Sequence, residues 1–313
     1  MAVLTRDRLP RAVTVYEVGP RDGLQNEAVA VPLAAKRAFV EALAAAGLRR
    51  VEATSFVHPK WVPQLADAAE LMTALTRRPG TSYPVLVPNE KGLDRALACG
   101  CDAVAVFAAV TEGFSRRNQN ASVAEVMAGL RPVVERARAA GLWVRGYLSV
   151  VWGCPYEGHV DPARARTLAG DLVAMGVDEV SLGDTIGVAT PGEVERVVDL
   201  VAAAAPRERL ALHFHDTRGT ALANVLAGLL AGVTTFDASA GGLGGCPYAV
   251  GASGNLDTCD LLYMLHGLGI ETGVDLDAVR AAAQGVAAAL GRPLPGRYSQ
   301  AGPLVPQGSS QDR

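Results

Sequence analysis

Lysine is scarce in this sequence: three among 313 residues, at Lys36, Lys60 and Lys91. None falls inside an expected strand, which argues against Schiff-base chemistry, since that needs an amine placed at a reacting centre. The five cysteines, at 99, 101, 154, 246 and 259, form no CxxC pair and are odd in number. A disulfide framework is therefore not expected, and a reduced cytoplasmic compartment is. Neither GxGxxG nor GxxxxGK[ST] occurs, so no nucleotide-phosphate loop marks the chain. No apolar run reaches the ~18 residues of a membrane span, and the first thirteen residues hold no apolar signal core, so neither membrane nor secretory leader is expected. A formal charge of −3 leaves no basic excess for nucleic acid.

What the sequence does have is alternation. β-rich stretches at 14–18, 50–53, 83–87, 102–107, 143–151, 179–182, 210–214 and 234–238 are each followed by a helical pattern. Those helices are expected at 32–46, 63–77, 90–98, 123–140, 162–175, 191–204, 220–231 and 256–265. In the first of them Leu33, Val40, Leu43 and Ala44 fall on one stripe, Pro32 suits the opening turn and Gly47 the stop. Eight strand–helix units imply an α/β chain with a parallel sheet, and favour a closed (β/α)8 TIM barrel over an open sheet. One further helix is expected at 275–290, and a loose tail rich in Pro, Gly, Ser and Gln at 291–313. The stretch 13–290 reads as a single domain.

In such a barrel the chemistry gathers where strands end. The first strand ends in Gly19-Pro20-Arg21-Asp22, with Gln25 just beyond, and the second carries Glu52. The fifth carries Arg145 and Tyr147, the sixth ends in Ser181-Leu182-Gly183-Asp184, and the seventh ends in His213-Phe214-His215-Asp216. Residues two apart in an extended segment point the same way, so His213 and His215 can present two imidazoles to one centre. Asp22 can reach that centre, because only the eighth strand separates the first from the seventh. Two imidazoles and a carboxylate suit a divalent cation, and the lack of a thiolate favours Mg2+ or Mn2+. Asn255 reads either as the N-cap of the following helix or as a carbonyl ligand.

After the eighth strand comes a glycine-rich loop, 238–255, with Cys246 in its middle. A long glycine loop in a compact barrel is usually functional, and Cys246 is a candidate for acid–base work. Cys154 stands in a second GCPY and is a rival on these grounds.

Taken together, EVGPRDGLQNE (17–27), TSFVHPKWVPQLAD (54–67), GCPYEG (153–158), SLGDTIGVATPG (181–192), HFHDT (213–217), GGLGGCPYA (241–249) and GASGNL (251–256) resemble the 3-hydroxy-3-methylglutaryl-CoA lyase family. The sequence is more distantly similar to the metal-dependent barrels that include isopropylmalate and homocitrate synthases. The resemblance implies a divalent cation held by Asp22, His213, His215 and Asn255. It implies that Arg21 contacts the substrate, that Cys246 is the catalytic loop cysteine, and that Glu52 and Asp184 are active-site carboxylates. Gln25, Tyr147 and Ser181 are expected to bind substrate beside Arg21, and Asp22 and His213 are candidates for the first base. The expected reaction is retro-Claisen cleavage of an acyl-CoA by a cytoplasmic homodimer or other homo-oligomer. A lyase for longer branched substrates, a Claisen synthase, and a barrel that binds acyl-CoA and metal without turnover are the rival readings.

Overall fold

A computed structural model describes residues 8–245 and 254–303. Its strands are β1 (Thr14–Glu17), β2 (Arg50–Val51), β3 (Thr54–Ser55), β4 (Val85–Leu86), β5 (Ala103–Ala109), β6 (Trp143–Ser149), β7 (Gly153–Cys154), β8 (Gly158–His159), β9 (Glu179–Asp184), β10 (Leu210–Phe214) and β11 (Thr235–Ala238). Its helices are α1 (Leu33–Ala45), α2 (Ala68–Ala74), α3 (Glu90–Ala98), α4 (Glu112–Gln119), α5 (Val123–Ala139), α6 (Pro162–Met175), α7 (Pro191–Ala202), α8 (Ala221–Leu230), α9 (Thr258–Gly267), α10 (Leu276–Leu290) and α11 (Arg297–Ala301).

Nine strands form one sheet in the order β2-β1-β11-β10-β9-β6-β5-β4-β3, and every pairing in it is parallel. The two outermost strands, β2 and β3, are consecutive pieces of one extended segment. Within it the Glu52 amide donates to the Glu17 carbonyl and the Ala53 amide to that of Pro84, each at 2.9 Å. That segment bonds to β1 on one flank and toward β4 on the other, so the sheet curls until its edges share one stretch of chain. Strands buried on both faces account for near-continuous apolar runs such as AVAVFAA in β5.

Local chemistry explains the helix ends. Ser122 and Glu125 form a capping box at the start of α5, as do Thr190 and Glu193 at α7. The helix expected at 63–77 is shorter: a 3-10 turn at Pro63–Leu65 leads into α2, and Leu75 is already extended. Two elements carry no apolar period and escape the pattern. One is α4, which buries only Phe114 and Ser115; the other is the small β7–β8 hairpin of the second GCPY. Helix α10 buries Val279, Ala282, Ala283, Val286 and Leu290 and lies against α1. Residues 291–303, where a loose tail was expected, pack instead. Leu294 is buried, Arg292 pairs with Glu27 at 2.5 Å, and the Gly296 amide donates to the Gly241 carbonyl at 3.1 Å.

Candidate metal centre

Beyond β1 the chain winds into a π-helical turn, Gly19–Gly23, that carries Arg21 and Asp22. Such turns are uncommon and often mark functional sites. The turn is held from beneath by Glu17. One oxygen of this buried carboxyl accepts from the amides of Gly19 at 2.8 Å and Ala240 at 2.9 Å, and the other from the Thr258 hydroxyl at 2.7 Å. One side chain thus fixes the Arg21–Asp22 turn to both roots of the glycine-rich loop. Gly23 is required by proximity: a Cβ there would lie 2.8 Å from that of Leu243 and 2.9 Å from Ser239 Oγ.

Strand order delivers the neighbours. β11 lies between β1 and β10, as the reach from Asp22 to His213 and His215 requires. Asp22, His213 and His215 each offer a ligand atom within 4.8 Å of the others. The Asn255 amide nitrogen donates to Asp22 Oδ2 at 2.9 Å and to the Leu243 carbonyl at 3.0 Å. The N-cap reading of Asn255 does not hold, because Asp257 caps α9 by accepting from the Cys259 amide.

Electrostatics prepare these groups for a cation. Burial opposes the charge on Asp22, but Arg21, with His213 and His215 behind it, brings the carboxyl down to about 2. Burial, with His213 alongside, pushes His215 down to about 4, so its imidazole is neutral with a free lone pair. Among the described residues, Asn255 Oδ1 and His215 Nδ1 are buried polar atoms with no hydrogen-bond partner. A carboxylate, two imidazoles and an unsatisfied amide oxygen fit a divalent cation with mixed oxygen and nitrogen ligands.

Arg21 is buried at this centre rather than spread on the surface. Its Nη1 donates to Asp22 Oδ1 and its Nε to Glu52 Oε1, each at 2.7 Å. Burial works against the guanidinium, yet Glu52 and Asp22 keep it charged. Glu52 also accepts from the Tyr147 hydroxyl, and burial raises that phenol far enough to keep its proton. Arg21, Asp22, Glu52, Tyr147, His213, His215 and Asn255 are therefore brought together.

The remaining candidates are placed differently. Gln25 is half-buried just past the turn. The Ser181 hydroxyl points to Asp237 at 3.2 Å. Asp184 accepts from the amides of Val188 at 2.9 Å and Ala189 at 3.0 Å, so it anchors its own loop, while burial lifts its carboxyl to about 6. Cys246 lies outside the described residues. Cys154 is buried, and its sulfur accepts from the Thr111 hydroxyl at 3.1 Å. Two acids escaped the sequence reading, Glu17 and Asp237. The available signal was a carboxylate next to apolar residues near the end of a core strand, which cannot stay buried without partners.

A curled parallel sheet with imidazole, carboxylate and guanidinium groups converging beyond its strand ends defines a metal-centred α/β enzyme of the TIM-barrel type. The comparisons with known proteins narrow this. The HMGL-like family model matches residues 12–286, and the chain belongs to that family. It is 52% identical to the 3-hydroxy-3-isohexenylglutaryl-CoA/hydroxy-methylglutaryl-CoA lyase of Pseudomonas aeruginosa, over 94% of this chain and 98% of that one. The crystal structure of hydroxymethylglutaryl-CoA lyase from Pseudomonas aeruginosa superposes with a TM-score of 0.92 at 52% identity, covering 94% of this chain and 98% of the other. An Acinetobacter baumannii HMG-CoA lyase in complex with coenzyme A and 3-methylmalate superposes with a TM-score of 0.89 at 37% identity, covering 96% and 97%.

Proposed function

We infer that this chain is a carbon–carbon lyase that cleaves 3-hydroxy-3-methylglutaryl-CoA to acetoacetate and acetyl-CoA. The observation that carries the reading is Arg21, buried and charged, beside the Asp22–His213–His215 cluster. The relatives named for this activity match nearly the whole chain. We read the curled sheet as a closed (β/α)8 barrel, with α10 as an appended C-terminal helix and 13–290 as one catalytic domain.

Asp22, His213, His215 and Asn255 would hold Mg2+ or Mn2+. Such an ion lowers the pKa of a substrate alcohol and fixes its orientation. In the reaction the C3 hydroxyl gives its proton to a base of the site, for which Asp22 and His213 are the candidates, and the C2–C3 bond breaks. C3 becomes the ketone of acetoacetate, and the electron pair passes into the thioester as an enolate. Arg21 stabilises the enolate oxygen: Glu52 and Asp22 take two of its N–H groups and leave the others for substrate. Tyr147 holds Glu52 and so fixes the plane of the guanidinium. Gln25 and Ser181 contribute to the substrate pocket, and Asp184 shapes it through the loop it anchors. Cys246 delivers the proton that turns the enolate carbon into the methyl group of acetyl-CoA. The enzyme works as a homodimer or other homo-oligomer in the cytoplasm.

One observation favours a second substrate. The Pseudomonas aeruginosa relative is named for the isohexenyl homologue as well as the methyl compound. Acetyl-CoA release from both thioesters, by metal-reconstituted protein, tests the two readings together. Release from neither removes the lyase reading, and release from the longer thioester alone assigns the branched-chain activity.

A further inference from the structure

Asp237 is the residue of the site that the reaction above leaves without a task. It lies on β11 directly across the ladder from His213 on β10, so both side chains face the interior. Phe236, its neighbour in β11, lies against Gly228 of α8 on the outer side of the sheet. Asp237 is buried and has three polar partners, two of them donors whatever the tautomer of the third. Oδ1 accepts from Arg145 Nη2 at 2.6 Å, and Oδ2 from the Ser181 hydroxyl at 3.2 Å. His213 Nδ1 stands 3.1 Å from Oδ2.

Arg145 reaches Asp237 from β6, two strands beyond β10 in the sheet order, and is fully buried. Its guanidinium lies over the ring of Tyr16 at 3.7 Å and donates to the Tyr147 hydroxyl at 3.0 Å. A closed run of contacts results: Asp22, Arg21, Glu52, Tyr147, Arg145, Asp237 and His213, ending beside Asp22 again. Arg145 has only donors to offer, so the oxygens of Asp237 are acceptors, and the hydrogen on His213 is drawn to Nδ1. The other ring nitrogen, Nε2, then carries the lone pair.

We propose that Asp237, held by Arg145, is the positioning residue of the cation site, fixing His213 as the Nδ1–H tautomer with Nε2 turned to the space shared with Asp22 and His215. A carboxylate behind a ligating imidazole both orients the ring and strengthens it as a ligand. The inference rests on the cation reading above, and Asp237 touches neither the ion nor the substrate.

The test uses the full-length chain. Long-range 1H–15N correlation of the metal-stripped wild type should show His213 with its proton on Nδ1; an Nε2–H imidazole there overturns the proposal without any variant. In Asp237→Asn the amide can present its own N–H to Nδ1, which forces the proton to Nε2 and removes the ligating lone pair. Mn2+ affinity, read from the electron paramagnetic resonance signal of the free ion, should fall by about 10- to 100-fold. Affinity equal to wild type overturns the proposal. Ser122→Ala, which removes a cap on the surface helix α5, is the control. It lowers thermal stability and should leave Mn2+ affinity unchanged; an equal fall in both variants means that the loss follows general destabilisation, and also overturns the proposal. A wild type with the Nδ1–H tautomer that takes up no Mn2+ supports the positioning of His213 and removes the cation reading instead.

Discussion

Arg21 and Asp22 are opposite charges side by side, and on a protein surface such a pair contributes little. Their burial changes the argument. An arginine enclosed with Glu52 and Asp22 is aimed by both carboxylates, and it stays charged where an enolate oxygen is expected to form. Arg21→Gln removes that charge and leaves the candidate ligands Asp22, His213 and His215 in place. Its kcat should fall by roughly 10²- to 10³-fold, the usual cost of losing one preorganised donor to a developing oxyanion. Mn2+ affinity should change far less. Steady-state kinetics beside a metal titration separates the two effects, and equal losses would sink the division of labour between Arg21 and Asp22.

Among the elements, the π-helical turn and the root of the glycine-rich loop must meet closely, and Gly23 is where they do. Gly23→Ala forces its new methyl against Leu243 and Ser239. The expected cost is about 1–3 kcal/mol of stability from overpacking, with a loss of kcat because Asp22 sits on the same turn. Urea unfolding and kinetics on one preparation check both; unchanged kcat would mean that the turn yields without moving the site. The reason for Gly23 was not legible in the sequence. Its need comes from a close approach to residues more than two hundred positions away, which no local pattern carries. The long elements were legible, since apolar periods and caps are local: α6 and β10 fall where they were expected. The β11–β1 adjacency that lets Asp22 meet the histidines followed from counting eight units. By contrast α4 has almost no apolar stripe to read, and the 291–303 stretch is ordered by contacts with Glu27, Gly241 and Asp260 that no local pattern carries. Asp237 was not legible because its partners Arg145 and His213 come from other strands and reach it across the interior.

At the scale of the whole molecule, buried acids tie folding to pH. Burial raises Glu17 to about 7 and Asp257 to about 7, and it lifts Asp184 to about 6. Each binds its proton more tightly in the native state than in the unfolded chain, so its contribution is present in full below the unfolded pKa and is lost as pH climbs to the folded value. His215, pushed down to about 4, acts in the opposite sense: the unfolded chain binds its proton more tightly, and stability from this group rises between about pH 4 and its ordinary value. Asp22 at about 2 matters only in stronger acid. Among these groups the raised acids outweigh the histidine, so their joint contribution to the stability of the metal-stripped protein falls as pH rises from about 5 to 7. Glu17→Gln isolates one of the three. The glutamine oxygen can still accept from the Gly19 and Ala240 amides, and its NH2 can donate to Thr258, whose hydroxyl accepts as readily as it donates. It therefore imitates the protonated acid at every pH. Relative to wild type, Glu17→Gln should gain stability between pH 5 and 8, by at most roughly 3 kcal/mol for a shift of this size. Urea unfolding in the presence of a chelator, at both pH values, measures that gain. A difference between the two proteins that does not move with pH would mean that Glu17 is already ionised throughout the range, held so by its three donors.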